Sequence, residues 1–236
     1  MEIVSYKELK SLLTNTQDLP KKISQRFFEI FSNYYQSCPD AYTKRILPEL
    51  NENVFNQYFE NYFKQEEQEK RGHSSLFIIN KENNILGIST TLPICEKVKD
   101  TLDLESPEQF AKLDKIYLCP SLRGHGIGKF LLSKQLSFLT ENGFTGLIVE
   151  ADAGAPLSNH FYEKIGLTNV GQNVQDISEY IPGEHMVFNY FRTDDIPLLN
   201  QSLINMINHG IKKTRPIPNA TTGENNGRYI EEAYQA

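Results

Sequence analysis

The chain has no tryptophan, only three methionines and only three cysteines in 236 residues. Cys38, Cys95 and Cys119 are odd in number and scattered, which argues against a disulfide framework and offers no nucleophile with a triad around it. The five histidines do not group at metal-ligand spacings, so no metal is expected. No apolar run approaches membrane-spanning length, and Met1–Lys10 has no basic stretch leading into an apolar one. The expected setting is reducing and cytoplasmic, with no membrane partner. An excess of positive charge is also missing. The net charge is −6, which argues against nucleic acid as a partner and is compatible with a cationic substrate.

Glycine is absent from residues 1–71. That segment reads as a short first strand at Ile3-Val4 followed by helices. Lys7 to Leu13 is a short helix. Pro20 opens a longer one with an apolar stripe of Ile23, Phe27, Ile30, Phe31 and Tyr34, and Asn53 to Lys70 carries Val54, Phe55, Tyr58, Phe59, Tyr62 and Phe63 on one broad face. Such an aromatic stripe reads as core, with some members free to line a cleft. After Gly72 the period changes. Leu76–Ile79 and Ile85–Leu92 read as a hairpin around residues 81–84. Residues 96–110 are acidic and patternless, a solvated loop or a rim that attracts an amine through Glu96, Asp100, Asp103, Glu105 and Glu108.

The most informative stretch follows. Lys112–Leu118 suits a largely buried strand that stops near Cys119, because Pro120 cannot continue a ladder. A helix begins near Gly126, with Ile127, Leu131, Leu132, Leu136, Phe138 and Leu139 at helical spacings, and stops at Asn142-Gly143. Between them Gly124, Gly126 and Gly128 leave backbone N–H groups uncovered where the positive end of the helix dipole points. Arg123 and Lys129 bracket the loop with positive charge, which suits a phosphate or pyrophosphate. A strand–helix turn that uses glycine only for close packing remains open. The spacing is neither the dinucleotide fingerprint nor a P-loop.

Leu147–Ala151 reads as an interior strand, Pro156 to Gly166 as a helix, and Thr168–Val174 and Met186–Phe191 as two more strands. The fold class is α/β, a mixed sheet with helices on both faces. Ile196–Ile207 is a further helix, residues 216–227 read as a flexible linker, and Tyr229–Tyr234 as a last helical turn. The domain organisation is thus 1–192, with a helical segment 1–72 and a core 73–192, followed by a tail 193–236.

Two strings carry a resemblance. Arg123-Gly-His-Gly-Ile-Gly128, after a strand, resembles the Gln/Arg-x-x-Gly-x-Gly/Ala signature of the GNAT superfamily of N-acetyltransferases. Phe161-Tyr162-x-Lys164-x-Gly166 is similar to that superfamily's second signature. The close likeness covers about Lys112 to Leu167. It implies a sheet splayed beside the central strand, with acetyl-CoA as co-substrate in the gap. Ile116, Tyr117 and Leu118 would line the pantetheine, and Arg123, Gly124, His125, Gly126, Ile127, Gly128 and Lys129 would hold the pyrophosphate. Tyr162 matches the tyrosine that faces the sulfur, as general acid.

Three departures stand out. Ala155 replaces a pantetheine-contacting Asn, which Ser158 and Asn159 are placed to substitute. Lys112 replaces a general-base Glu. Asp114 is then the nearest carboxylate on the strand, and alternation puts it on the side of Lys112 and Ile116. Leu167 replaces Phe. The resemblance implies direct acetyl transfer to a primary amine. A homodimer is left open. The helical start, the acidic loop and the strand near Met186 are similar to polyamine acetyltransferases, so the expected acceptor is a small amine or polyamine. A protein amine, or a non-catalytic acyl-CoA-binding module, is the alternative.

Overall fold

The computed structural model describes residues 1–13, 18–38, 40–48, 50, 52–178 and 182–211. The linker and last turn read at 216–234 lie outside them. The chain opens on β1 (Glu2–Ser5) and turns at once into α1 (Tyr6–Leu12). Ser5 caps that helix: its hydroxyl accepts from the Glu8 N–H, and Glu8 returns the contact to the Ser5 N–H at 2.7 Å. Then come α2 (Leu19–Gln36), the short α3 (Tyr42–Ile46) and α4 (Glu52–Glu67). The hairpin is β2 (Ser74–Ile79) and β3 (Ile85–Pro93).

Residues 96–110 are not the patternless loop expected. They form α5 (Glu96–Thr101) and a 3-10 turn at Pro107–Gln109. Val98 and Leu104 are buried with Phe110, Ile148 and Tyr190, and two apolar anchors suffice to pin a segment whose other side chains face water. The chain continues through β4 (Phe110–Leu118), α6 (Ile127–Glu141), β5 (Gly146–Asp152), α7 (Pro156–Lys164), β6 (Thr168–Asp176), β7 (His185–Thr193) and α8 (Ile196–Ile211).

The seven strands form one mixed sheet in the order β1-β2-β3-β4-β5-β7-β6. Only β4 and β5 run parallel among these pairs, as a strand–helix–strand crossover through α6 demands. One face is covered by the N-terminal helices. Phe27, Phe59 and Phe63 meet Phe77, Ile79 and Ile88 there, so the aromatic stripe is core. The other face carries α6 and α8, with Leu132, Leu136, Leu139, Ile196 and Leu203 on Leu147, Val149 and Phe191. None of the described helices is long and apolar enough to cross a membrane.

One half-buried acid couples this packing to pH. Glu66, at the end of α4, accepts from the Ser75 N–H at 3.0 Å and the Ser75 hydroxyl at 2.7 Å. Burial pushes its carboxyl up from 4.5 to about 7, against the pull of those two bonds. A raised folded pKa means the native state binds the extra proton. The stability it contributes is present below about 4.5 and is lost as pH rises to about 7, an effect of at most about 3 kcal/mol. Glu66→Gln is therefore expected to melt higher than the parent at pH 8 and close to it at pH 4.5. Identical differences in Tm at the two pH values would show that the half-buried charge is not felt.

Candidate active site

The sheet parts in its middle. β4 pairs with β5 from Phe110–Gly146 only as far as Leu113–Val149, although β4 runs on to Leu118 and β5 to Asp152. On its other edge β4 stays paired with β3 to Leu118. Beyond Leu113 the β5-facing backbone groups of β4, those of Ile116 and Leu118, therefore border an opening at the carboxyl ends of two parallel strands, while Tyr117, like Cys119, turns its own toward β3. That is where ligands of open α/β sheets sit.

A bulge marks the point of parting. Thr90 pairs with Lys115 and Thr91 with Leu113, so Asp114 is the extra residue. This corrects the expectation from alternation. Asp114 shares the side of Lys112, but the added residue shifts the phase and puts Ile116 on the opposite face, beside Ile127 and Leu131. Asp114 and Lys115 both face α2 and α4. Tyr58 donates its hydroxyl to Asp114, and the Lys115 ammonium lies 2.8 Å from that carboxylate and 4.6 Å from the Tyr58 ring centroid. Burial alone would raise the Asp114 carboxyl, but Lys115 and Lys112, with the two hydrogen bonds, hold it below its usual range.

Glu150 is a carboxylate that sequence reasoning passed over. It sits where β5 leaves β4 and pairs with Lys112 at 2.6 Å. Its other oxygen accepts from Asn173 at 2.7 Å and Gln175 at 3.2 Å. Burial pushes it up, yet Lys112 and these donors leave it below the usual glutamate value. Its one visible signal was a lone charge within the apolar run Leu147–Ala151. Lys112 is thus paired with a glutamate from the next strand.

At the mouth of the opening, a 3-10 turn at Pro120–Leu122 leads into the glycine loop. Gly124 and Gly126 have φ of 80° and 82°, the left-handed region that glycine enters without penalty. A side chain at Gly124 would meet nothing within 4 Å. Among the described residues, the N–H groups of Gly124, His125, Gly126, Ile127 and Gly128 meet no backbone acceptor, as expected where a helix starts. Lys129 lies in the first turn, its N–H already donated to Gly126. Arg123 donates Nε to the Leu118 carbonyl at 2.9 Å, and its Nη2 is buried without a partner. An open cradle of N–H groups beside an orphaned guanidinium nitrogen fits a diphosphate.

The far wall is α7. Tyr162 is buried, its ring 5.3 Å from Phe161 and 5.4 Å from Phe191. Burial pushes its phenol well up, and the phenols of Tyr34 and Tyr35 add to that. Its proton therefore stays on throughout the neutral range. Ser158, one turn earlier, hydrogen-bonds the Tyr34 hydroxyl. Asn159 is fully engaged. Its amide donates to the carbonyls of Asp152 at 2.8 Å and Ala155 at 2.9 Å, and its oxygen accepts from Asn189. It locks the turn from β5 into α7. Of the two polar residues near Ala155, Ser158 is the one whose polar group lies toward α2. Asp152 closes the same corner by accepting the N–H groups of Tyr42, Thr43 and Gly154.

The described residues contain no cluster of metal-ligating side chains. Glu96, Asp100, Asp103, Glu105 and Glu108 are all exposed, and Glu96 pairs with Lys99 at 3.1 Å.

Comparison with known proteins agrees with this geometry. The fold is similar to an N-acetyltransferase from Staphylococcus aureus Mu50, with a TM-score of 0.52 and 15% identity over 74% of this chain and 93% of that one. A ribosomal-protein-alanine N-acetyltransferase from Brucella melitensis gives a TM-score of 0.53 and 16% identity over 82% and 99%. A Salmonella typhimurium protein solved with its cofactor acetyl-CoA gives 0.50 and 12% over 74% and 89%. A search of curated proteins returns no match. The model of the acetyltransferase (GNAT) family matches residues 26–167, which is more than half of the chain and spans both the glycine loop and the α7 motif. The chain belongs to the acetyltransferase (GNAT) family.

Proposed function

We propose that this N-acetyltransferase moves an acetyl group from acetyl-CoA directly onto the primary amine of a small amine or polyamine. The observation that carries this reading is the opening between β4 and β5, with an anion cradle at its mouth and a buried tyrosine on its wall. Acetyl-CoA, when bound, supplies the thioester carbonyl that the amine attacks. The glycine-loop N–H groups and Arg123 hold the diphosphate, and the free edge of β4 at Ile116 and Leu118 offers the pantetheine its backbone partners.

Tyr162 gives a proton to the sulfur as the C–S bond breaks, and the amine loses one as the C–N bond forms, so the exchange balances. Asp114 is assigned as the base, ionised across the neutral range. A carboxylate held that low hands the amine's proton on to water and does not store it. The cysteines do not enter the chemistry: Cys119 sits against Arg26, with the Arg26 Nη2 at 3.0 Å from its sulfur, at the foot of the glycine loop.

The acidic 96–110 segment supports a cationic acceptor only through its field, because its carboxylates are exposed. Such a field is screened over roughly ten ångströms at 0.1 M salt. CoA-thiol release is expected with small amines and polyamines above peptides, with the polyamine rate falling as salt rises to physiological strength. Faster release with peptides would move the acceptor to protein amines. No release with any amine would leave an acyl-CoA-binding module.

A further inference from the structure

Arg123 is held from two sides and unpartnered on a third. Its Nε is tied to the Leu118 carbonyl, its guanidinium carbon lies 5.2 Å from the Tyr34 ring centroid, and Nη2 is buried with no acceptor. Buried donors are rarely left unpaired, so a nitrogen in this state points to a missing partner. Its position in the glycine loop says that the partner is an anion.

Tyr34 is fixed as firmly. Its ring packs 5.0 Å from Tyr35 and 5.8 Å from Tyr117, both steeply inclined, and its hydroxyl is bonded to Ser158 on α7. Ser158 and Tyr162 are four residues apart on one helix and therefore share a face. Tyr34 thus reaches from α2 across the mouth of the opening, touching the phosphate loop with its ring and the Tyr162 helix with its hydroxyl.

We propose that Tyr34 is a positioning residue for the co-substrate: its ring is the platform that aims Arg123 Nη2 at a phosphate oxygen of the CoA diphosphate. This rests on the acetyl-CoA reading above. A free arginine side chain must give up its rotamer freedom on binding, whereas a guanidinium already stacked on an aromatic face gives up less. The ring does this, and the hydroxyl only holds the ring in place. The Tyr34–Ser158 bond also joins the phosphate site to the helix that carries the proton donor.

The test is calorimetric binding of CoA, and of pantetheine, which lacks the phosphates, to folded Arg123→Ala, Tyr34→Ala, Tyr34→Phe and the double alanine variant. Arg123→Ala is expected to weaken CoA roughly tenfold, Tyr34→Ala by about fivefold, and Tyr34→Phe by less than about twofold. The double variant should bind no more weakly than Arg123→Ala alone, because one residue acts through the other. Pantetheine affinity should be the same in all of them. If Tyr34→Ala does not fold, Tyr34→Leu keeps apolar bulk without the aromatic face and carries the same expectation.

Two results overturn the proposal: CoA affinity untouched by Tyr34→Ala while Arg123→Ala weakens it, or pantetheine weakened as much as CoA. Either leaves the acetyl-CoA reading standing. If Arg123→Ala itself changes nothing, the phosphate assignment of the loop fails first.

Discussion

Tyr162→Phe is expected to lower turnover about a hundredfold, the scale of lost general-acid catalysis, with acetyl-CoA affinity nearly unchanged. The substitution removes one oxygen and keeps the ring that packs between Phe161 and Phe191, so the fold should hold. Burial keeps the parent phenol protonated far above neutral pH. Tyr162 should therefore put no limb into the pH–rate profile between pH 6 and 9. The slope there belongs to the amine, which must be unprotonated to attack. Rates of CoA-thiol release and calorimetric CoA affinity together separate the outcomes. An unchanged rate would make Tyr162 a packing residue, with water as the proton donor. A matched loss of affinity and rate would mean that α7 has shifted.

The parts of this site that could be read from the chain are those built from consecutive residues. The glycine loop is one: Arg123 to Lys129 fix their own backbone geometry, and φ near 80° at Gly124 and Gly126 is what glycine at those positions predicts. The α7 motif is another, because Pro156 starts it and Gly166 ends it. What could not be read depends on distant partners. Tyr34 is one more aromatic at the end of a stripe until Ser158, 124 positions later, hydrogen-bonds its hydroxyl. The bulge at Asp114 is invisible to a period-two reading, because nothing in Lys112–Leu118 marks which residue is extra. Likewise the acidic composition of 96–110 hid Val98 and Leu104, whose burial is decided by Phe110, Ile148 and Tyr190.

The two departures on β4 and before α7 have different physical consequences. Lys112 does not leave the site without a carboxylate, since Glu150 pairs with it and Asp114 stands at the bulge. Both acids are neutralised by a lysine within 3 Å, so the interior of the site presents little net charge. If the acceptor is the polyamine proposed above, its attraction falls to the exposed surface acids, and its rate should then be salt-sensitive. Ala155 is fully buried at the start of α7, with Asn159 and Asp152 holding the turn around it. Alanine offers the pantetheine no side-chain polar group at this position. Asn159 does not supply one in its place, because its amide is spent on the turn and its oxygen on Asn189 of β7.

Gly128→Asp should abolish CoA binding while leaving the protein at least as stable as the parent. A Cβ at Gly128 meets only the Leu118 Cδ1 methyl, at 3.5 Å, an ordinary contact. Gly128 lies in the first turn of α6, where a carboxylate is favoured by the helix dipole by about 0.3–1 kcal/mol and where losing a glycine reduces the entropy cost of folding. The same carboxylate takes up the free N–H groups and sets a negative charge where the diphosphate must sit. Gly126→Asp is the less clean variant, because its φ of 82° would cost a side chain about 1–2 kcal/mol. Gly128→Ala is the matching control. It adds the methyl group without the charge and should keep CoA affinity within about threefold, a difference of less than about 1 kcal/mol. Melting curves for Gly128→Asp should match or exceed the parent, and calorimetry should show no CoA binding at about a hundred times the parent's Kd. Parent-like CoA affinity in Gly128→Asp would reduce the glycine loop to a close-packed turn and move the diphosphate site elsewhere on the protein.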